Sequence, residues 1–266
     1  MSYPDRPSHG SVLHWREGSI AHIRFNRPEA LNAINSDMAA AFLHACKTIE
    51  ADALVRVVWM SAEGRAFMAG GDIAEMAADP AAVADNLIPG MHGGLKILAK
   101  INAPVVASVH GAVAGGGLGL VLGGADLIIA AQGTRFSVAY PLIGASCDCS
   151  TSWALPRILG QKKSLELALL GNSVDAAQAL QLGLCNRVVL AADLDAETRT
   201  LVELLASGPT KAYGQMRQLI RASLGNDFAN HLDAEAQGFR VCARTKDFKV
   251  GVDAFIAKKP AQFKGD

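Results

Sequence analysis

Residues 109–126, VHGAVAGGGLGLVLGGAD, are the stretch that decides the fold of this chain. Residues 105–109 (VVASV), which end directly before His110, have the apolar pattern of a short buried strand. Gly115, Gly116 and Gly117 then precede an apolar run that is too regular for a loop. The pattern predicts a strand, a tight glycine-rich turn and the start of a helix. Because the first N–H groups of a helix lack partners and the helix dipole is positive there, this point can bind an anion or an oxyanion.

Two common anion-binding motifs do not match these glycines. A dinucleotide-binding turn has the pattern G-x-G-x-x-G, and a P-loop ends in Gly-Lys-Ser/Thr; no register of residues 109–126 supplies either pattern. A structural role also remains open, in which the glycines only let the helix pack closely on the strand.

Composition restricts the class of function. Half of the 266 residues are hydrophobic, which is enough for a large core, and 25 Lys and Arg residues balance 25 Asp and Glu residues. This neutral chain is not expected to bind nucleic acid or a membrane surface. The five cysteines are scattered and odd in number, and residues 1–10 are polar without an apolar targeting segment. We therefore expect a cytoplasmic protein with free thiols.

Hydrophobic periodicity predicts an α/β body followed by helices. Strands are predicted at residues 12–16, 20–25, 55–60, 105–109, 127–131, 135–138 and 184–189. Helices are predicted at residues 36–49, 85–101, 151–159, 162–170, 175–182, 193–206, 210–224, 226–245 and 247–258. Ser36, Ser173 and Thr245 are the predicted N-caps of three of these helices. We expect a body at residues 1–195 that carries the site, and a helical region at residues 196–266 that mediates oligomerisation and closes the site.

Three segments, taken together, resemble one known family. They are residues 26–35 (NRPEALNAIN), 64–73 (GRAFMAGGDI) and 110–126. They are similar to the characteristic segments of the crotonase, or enoyl-CoA hydratase/isomerase, superfamily, and the similarity continues in order to GVDAFIAKKPAQF near residue 263. The resemblance implies a crotonase-like spiral of ββα units with an all-helical C-terminal region, assembled as a homotrimer or a dimer of trimers. It also implies an acyl-CoA thioester substrate, no metal, and no cofactor besides the coenzyme A that the substrate carries.

The resemblance further implies that the N–H groups of Gly71 and Gly116 bind the thioester carbonyl oxygen. Removal of a proton next to that carbonyl places negative charge on the oxygen. Two preorganised N–H donors stabilise the resulting enolate, each by roughly 3 kcal/mol where such donors have been removed in other enzymes.

By the same resemblance, coenzyme A is expected to lie along the first two segments. The residues implicated are Ala30, Ala69, Asp72 and Ile73, with Lys258 near the phosphates. Two alternatives remain open: Asp72 caps the following helix, and Lys258 belongs to a solvated helix end.

The hydratases of this family use two glutamates, whose positions here are Gly119 and Tyr140. Because both carboxylates are absent, water addition by the usual route is not expected. Asp148 instead falls where isomerase branches carry a catalytic aspartate, and its segment resembles 1,2-epoxyphenylacetyl-CoA isomerases and Δ3,Δ2-enoyl-CoA isomerases. We therefore expect an isomerase in which Gly71 and Gly116 stabilise an enolate and Asp148 carries the proton.

Several alternatives stay open at this stage. Asp148 could instead be a helix N-cap, and Tyr140 is interpreted as a core aromatic whose hydroxyl is a candidate donor. Cys147 and Cys149 stand where the relatives have a proline and a glycine, and two thiols at this spacing make a poor metal site. The alternative functions are an enoyl-CoA hydratase with a non-standard base and a catalytically silent acyl-CoA-binding homologue.

Overall fold

The computed structural model of the protein describes residues 7–266, apart from the side chain of Ala82. Residues 1–6 of the polar N-terminal stretch therefore lie outside the described part. The strands are β1 (Val12–Glu17), β2 (Ile20–Phe25), β3 (Val57–Ala62), β4 (Val105–Val109), β5 (Ala112–Ala114), β6 (Leu127–Ala131), β7 (Arg135–Ser137), β8 (Ser173–Asp175) and β9 (Arg187–Val189). The α-helices are α1 (Ser36–Ala51), α2 (Ile73–Ala78), α3 (Pro80–Lys100), α4 (Gly116–Gly124), α5 (Thr151–Leu170), α6 (Ala176–Gln181), α7 (Leu194–Ala206), α8 (Thr210–Ala222), α9 (Phe228–Ala243) and α10 (Lys246–Ile256).

The strands form two sheets. The larger sheet has the order β1-β2-β3-β4-β6-β9, in which the β1–β2 hairpin is antiparallel and every other pair is parallel. The smaller sheet has the order β5-β7-β8, with β5 parallel to β7 and β8 antiparallel to it. This mixed, mostly parallel architecture confirms the predicted α/β class.

Helices cover both faces of the larger sheet. Val58 and Met60 of β3 face a core that contains residues of α1, α3 and α4, whereas Val57 and Trp59 face α7. Side chains alternate between the two faces of a strand, so a strand covered on both sides needs apolar residues throughout. That is why β3 has an almost continuous apolar sequence. The same packing places α7 directly on the sheet, although α7 spans the predicted boundary between residues 195 and 196.

The structure corrects three local predictions. The glycine-rich connection after β4 contains a further short strand, β5, before the helix begins. The N-cap of α1 is Asn35 rather than Ser36, since the Asn35 side chain accepts a hydrogen bond from Met38 N–H. Ser173 opens β8, and the N-cap of α6 is Asp175, which forms a capping box with Gln178. Thr245 is the N-cap of α10, as predicted. No helix within residues 7–266 is both long and apolar enough to cross a bilayer.

One buried arginine joins the C-terminal helices to the α/β body. Arg217 of α8 donates hydrogen bonds to Asp126 Oδ2 (2.6 Å) and to the carbonyl oxygens of Leu98 (2.9 Å) and Ile101. Arg221 binds the other carboxylate oxygen of Asp126 at 3.2 Å. A guanidinium with several donors in a fixed fork can satisfy all of these acceptors at once. The end of α3 and the Asp126 carboxylate are therefore bound directly to α8.

We expect Arg217→Met to lower the free energy of unfolding by about 3 kcal/mol, because two carbonyl groups lose a buried donor and the Asp126 carboxylate keeps only Arg221 and Val105 N–H as partners. Urea unfolding at a fixed protein concentration measures the change. Lys249→Met is the control, since Lys249 and Asp253 form an exposed pair of the kind that contributes little. Equal stability of the two variants would show that the buried pair does not hold α8.

Candidate active site

Two glycine-rich bends are in direct contact at the centre of the molecule. Gly70 and Gly115 both have positive φ values, 107° and 51°. A β-carbon on Gly115 would lie 3.5 Å from the Cα of Gly70, so the two main chains touch. A residue with a side chain would be strained at either position, because its φ value is positive. The next residues, Gly71 and Gly116, therefore continue from adjoining points of the backbone.

Short pieces of sheet hold the first bend in place. Met68 accepts a hydrogen bond from Ala114 N–H at 2.9 Å, and the carbonyl of Gly70 accepts one from Ile34 N–H at 2.7 Å. Asp72 N–H donates to the Ile34 carbonyl at 2.9 Å. The segment around Gly71 is thus clamped between β5 and the residues that precede α1. This clamping fixes the direction of each peptide group in the bend.

The two amides expected to bind the carbonyl oxygen have no acceptor among the described residues. In a trans peptide the C=O and the following N–H point in opposite directions. Because the Gly70 carbonyl points at Ile34, the Gly71 N–H points away from it. The Gly115 carbonyl accepts from Gly119 N–H inside α4, so the Gly116 N–H points out of the helix start. Every residue of α4 is buried, so its dipole is weakly screened.

The carboxylate of Asp148 lies against the start of α4. A β-carbon on Gly116 would be 3.6 Å from Asp148 Oδ1, 3.4 Å from Cys149 Sγ and 2.9 Å from the end of the Ile34 side chain. A side chain on Gly116 would therefore meet Ile34 and occupy the space next to the Asp148 carboxylate. The structure therefore brings together the three predicted catalytic residues: Asp148 faces Gly116, and Gly116 adjoins the bend that carries Gly71.

Asp148 is held by a buried tyrosine. The hydroxyl of Tyr140 donates to Asp148 Oδ1 at 2.5 Å, with the Asp148 carbonyl at 3.2 Å and Thr151 Oγ1 at 3.3 Å. The helix after Asp148, α5, has Ser150 as its N-cap and no side-chain cap hydrogen bond. The structure thus does not support the alternative in which Asp148 caps this helix.

Sequence reasoning undervalued Tyr140 by treating it as a core aromatic. Its ring is 8% exposed, as a core residue would be, but its hydroxyl reaches the site. The sequence offered one signal for this contact, since the hydroxyl of a buried tyrosine normally has a hydrogen-bond partner.

The sequence analysis did not identify His92 of α3. Its Nε2 accepts a hydrogen bond from Cys149 N–H at 3.0 Å and so positions the residue next to Asp148. No local sequence pattern connects residues 92 and 149.

The acidic groups around Asp148 stay protonated. Burial raises the pKa of the Tyr140 hydroxyl, and the charge and hydrogen bond of Asp148 raise it further. Burial, followed by the Asp148 charge, raises the pKa of the Cys149 thiol and, in the same direction, that of Cys147. Tyr140 is consequently a hydrogen-bond donor to the carboxylate, and neither cysteine is a thiolate at neutral pH.

The space beside Gly119 is filled. A β-carbon there would lie 2.4 Å from both the Cys149 carbonyl oxygen and Thr151 Oγ1. These atoms belong to the loop that carries Asp148 and to the first turn of α5. A glutamate at this position, which the family resemblance associates with hydratases, would need that loop to move.

Four of the residues predicted to contact coenzyme A lie around the first bend. Ala69 N–H donates to the Leu31 carbonyl at 3.1 Å, which places Ala69 beside Ala30, and Ile73 is 55% exposed at the start of α2. Lys258 is exposed at the end of α10, and no described contact joins it to this group. Their contacts with coenzyme A remain predictions.

Asp72 has a structural role that the sequence left open. Its Oδ1 accepts from the N–H groups of Ala74 and Glu75, so it is the N-cap of α2, and its Oδ2 accepts from Arg27 at 2.9 Å. Burial opposes ionisation of this carboxyl, but the hydrogen bonds from Arg27 and Glu75 N–H outweigh it and lower the pKa. Both oxygens are therefore engaged within the chain.

Comparison with known proteins gives a consistent result. The enoyl-CoA hydratase/isomerase family model matches residues 16–266. A 1,2-epoxyphenylacetyl-CoA isomerase from Escherichia coli K12 is 35% identical over 258 residues, which cover 96% of this chain and 98% of that protein. A crystal structure of a candidate enoyl-CoA hydratase/isomerase from Mycobacterium abscessus has a TM-score of 0.90 at 34% identity, covering 96% and 100% of the two chains. An enoyl-CoA hydratase from Mycobacterium smegmatis has a TM-score of 0.88 at 31% identity, covering 96% and 99%.

We expect Gly119→Glu to lower the free energy of unfolding by about 1–3 kcal/mol, because the added side chain has to displace the Cys149 carbonyl and Thr151. Urea unfolding measures this loss. Gly225→Ala is the control, since a β-carbon there meets only the Ala222 carbonyl oxygen at 3.6 Å and the change should stay within about 0.5 kcal/mol. A Gly119→Glu variant as stable as the parent would mean that the space beside residue 119 is not closed.

Proposed function

Since the chain belongs to the enoyl-CoA hydratase/isomerase family, we propose that it is an acyl-CoA isomerase acting on an enoyl-CoA or epoxy-acyl-CoA thioester. The observation that carries the proposal is the position of Asp148. Its carboxylate lies beside Gly116 at the start of α4, 3.6 Å from where a β-carbon of that glycine would be, while the two positions associated with hydratase glutamates are a glycine and a tyrosine. One carboxylate can move a proton between two carbons, but no carboxylate pair is left to hold and activate a water molecule.

The proposed reaction conserves every atom of the substrate. The thioester carbonyl oxygen accepts hydrogen bonds from the N–H groups of Gly71 and Gly116. Asp148 removes a proton from the α-carbon of a 3-enoyl-CoA, and the electron pair of the broken C–H bond delocalises onto the carbonyl oxygen as a dienolate. The carboxylic acid so formed returns the proton to the γ-carbon, which gives the 2-enoyl-CoA and restores the Asp148 carboxylate. No redox or metal cofactor takes part in this scheme.

Main-chain donors suit this reaction because they are rigid. The Gly71 and Gly116 amides are fixed by the bend and by α4, so they need no reorganisation when charge develops on the oxygen. Ile34 and Cys149 contribute apolar surface beside them, which strengthens the electrostatic interaction with the enolate. These contacts support stabilisation of an enolate rather than of a neutral ligand.

We also propose the wider binding arrangement that the family suggests. The coenzyme A portion would lie along Ala30, Ala69, Asp72 and Ile73, with Lys258 near its phosphates. The assembly would be a homotrimer or a dimer of trimers. Large exposed apolar side chains on the C-terminal helices support self-association; they include Phe228 (80% exposed), Phe239 (65%), Phe255 (86%) and Ile256 (74%).

We expect Asp148→Asn to reduce conversion of 3-enoyl-CoA to 2-enoyl-CoA by at least about 100-fold, the usual contribution of a general acid–base group. The conjugated thioester product is followed by its ultraviolet absorbance. Because Asn has nearly the same shape, binding of an acyl-CoA measured by calorimetry should persist. Asp253→Asn, which changes a carboxylate of the exposed Lys249–Asp253 pair, is the matched control and should remain fully active.

Two other outcomes would replace the proposal. Hydration of crotonyl-CoA as the dominant activity, insensitive to Asp148→Asn, would identify a hydratase with a different base. Tight acyl-CoA binding with no turnover across a panel of 3-enoyl, 2-enoyl and epoxy thioesters would identify a silent binding homologue.

A further inference from the structure

The Tyr140 hydroxyl makes a contact that the proposed reaction does not require. Tyr140 begins a 3-10 turn, Tyr140–Ile143, directly after Ala139, whose φ is 60°. Its N–H donates to the Val138 carbonyl at 2.8 Å and its carbonyl accepts from Ala145 N–H at 3.1 Å. The ring is buried and the backbone is bonded on both sides, so the hydroxyl is held at a defined point.

The single proton of this hydroxyl has a clear acceptor. Three oxygens lie within reach, and Asp148 Oδ1 at 2.5 Å is much closer than the Asp148 carbonyl at 3.2 Å or Thr151 Oγ1 at 3.3 Å. A charged carboxylate is also the strongest acceptor of the three. The Thr151 hydroxyl can then donate to the tyrosine oxygen. The hydrogen bond from Tyr140 therefore goes to the carboxylate.

The Asp148 carboxylate has two side-chain partners. Oδ1 accepts from the Tyr140 hydroxyl, and the Cys149 thiol also hydrogen-bonds to the carboxylate. The titratable side chains that face this carboxylate are Tyr140, Cys147 and Cys149, and each of them carries no charge at neutral pH. Tyr140 thus supplies the one O–H donor that the described residues give to the carboxylate.

From this arrangement we infer that Tyr140 is a positioning residue: its hydroxyl binds Asp148 Oδ1 and so fixes the carboxylate beside Gly116 as the base. The inference rests on the proposed function. A carboxylate joined to its backbone by a flexible side chain can rotate, and a misplacement of about 1 Å can cost up to 100-fold in rate.

Tyr140→Phe removes this hydroxyl and keeps the ring that fills the core. We expect kcat for isomerisation to fall about 10-fold with KM changed less than 2-fold. The fall is expected in kcat rather than in KM, because the hydroxyl holds the base and does not contact the substrate. A residue with only a packing role would lower stability without this selective fall in kcat.

Tyr213→Phe is the matched control, because Tyr213 lies in α8 and packs against Gly208 away from the site. It should leave kcat and KM unchanged. In an Asp148→Asn background, Tyr140→Phe should cause no further loss, since the residue that it positions is already disabled. Full additivity of the two substitutions would overturn the inference, as would an unchanged kcat in the Tyr140→Phe variant.

Exchange of α-protons of hexanoyl-CoA with deuterium oxide, followed by NMR, separates this inference from the proposed function. Exchange reports proton abstraction whichever product an enoyl substrate gives. If the parent exchanges protons without isomerising 3-enoyl-CoA, and Tyr140→Phe slows this exchange while Tyr213→Phe does not, the inference holds and the proposed function fails. If isomerisation depends on Asp148 but Tyr140→Phe matches Tyr213→Phe, the inference alone fails. A parent protein with neither activity overturns both.

Discussion

The contact between the Gly70 bend and the Gly115 bend is the constraint on which the rest of the site depends. The two bends follow β3 and β4, which are parallel neighbours in the larger sheet, so both chains leave the sheet at the same edge. Glycine is favoured at both bends because each adopts a positive φ value. Met68 and Ala114 then tie the segments together with main-chain hydrogen bonds. The position of the site is thus a consequence of strand order, and its proposed donors are backbone groups.

The proposed donors and the proposed base are held in different ways. Gly71 lies in a bend clamped by main-chain hydrogen bonds, and Gly116 starts a buried helix. Asp148 comes instead from the loop before α5, and that loop is held by side chains, through Tyr140 to the carboxylate and His92 to the neighbouring N–H. On the proposed mechanism, a chain with this fold can keep its main-chain donors while its acid–base group changes. Isomerase and hydratase names among the similar proteins are consistent with such a division.

The sequence predicted those features that local patterns determine. Continuous apolar runs identified β3 and β4 because both faces of these strands are covered, and the glycine clusters identified both bends. The short strand β5 was not predicted because three residues show no periodicity. The Tyr140–Asp148 and His92–Cys149 hydrogen bonds could not be predicted either, because each depends on burial and on how separate elements pack. The sequence could not decide whether Asp72 contacts a ligand, because a helix N-cap explains the same residue pattern equally well.

The Arg217 contacts have a consequence for how the chain reaches its native state during synthesis. The carbonyl groups of Leu98 and Ile101 and the carboxylate of Asp126 emerge from the ribosome about ninety to one hundred and twenty residues before their partner. Until α8 is available, the carbonyl groups at the end of α3 lack this donor, and Asp126, two residues after α4, lacks both of its guanidinium partners. Domains fold as units once their sequence is complete. The native packing around Asp126 is therefore completed only after residue 217 has been synthesised.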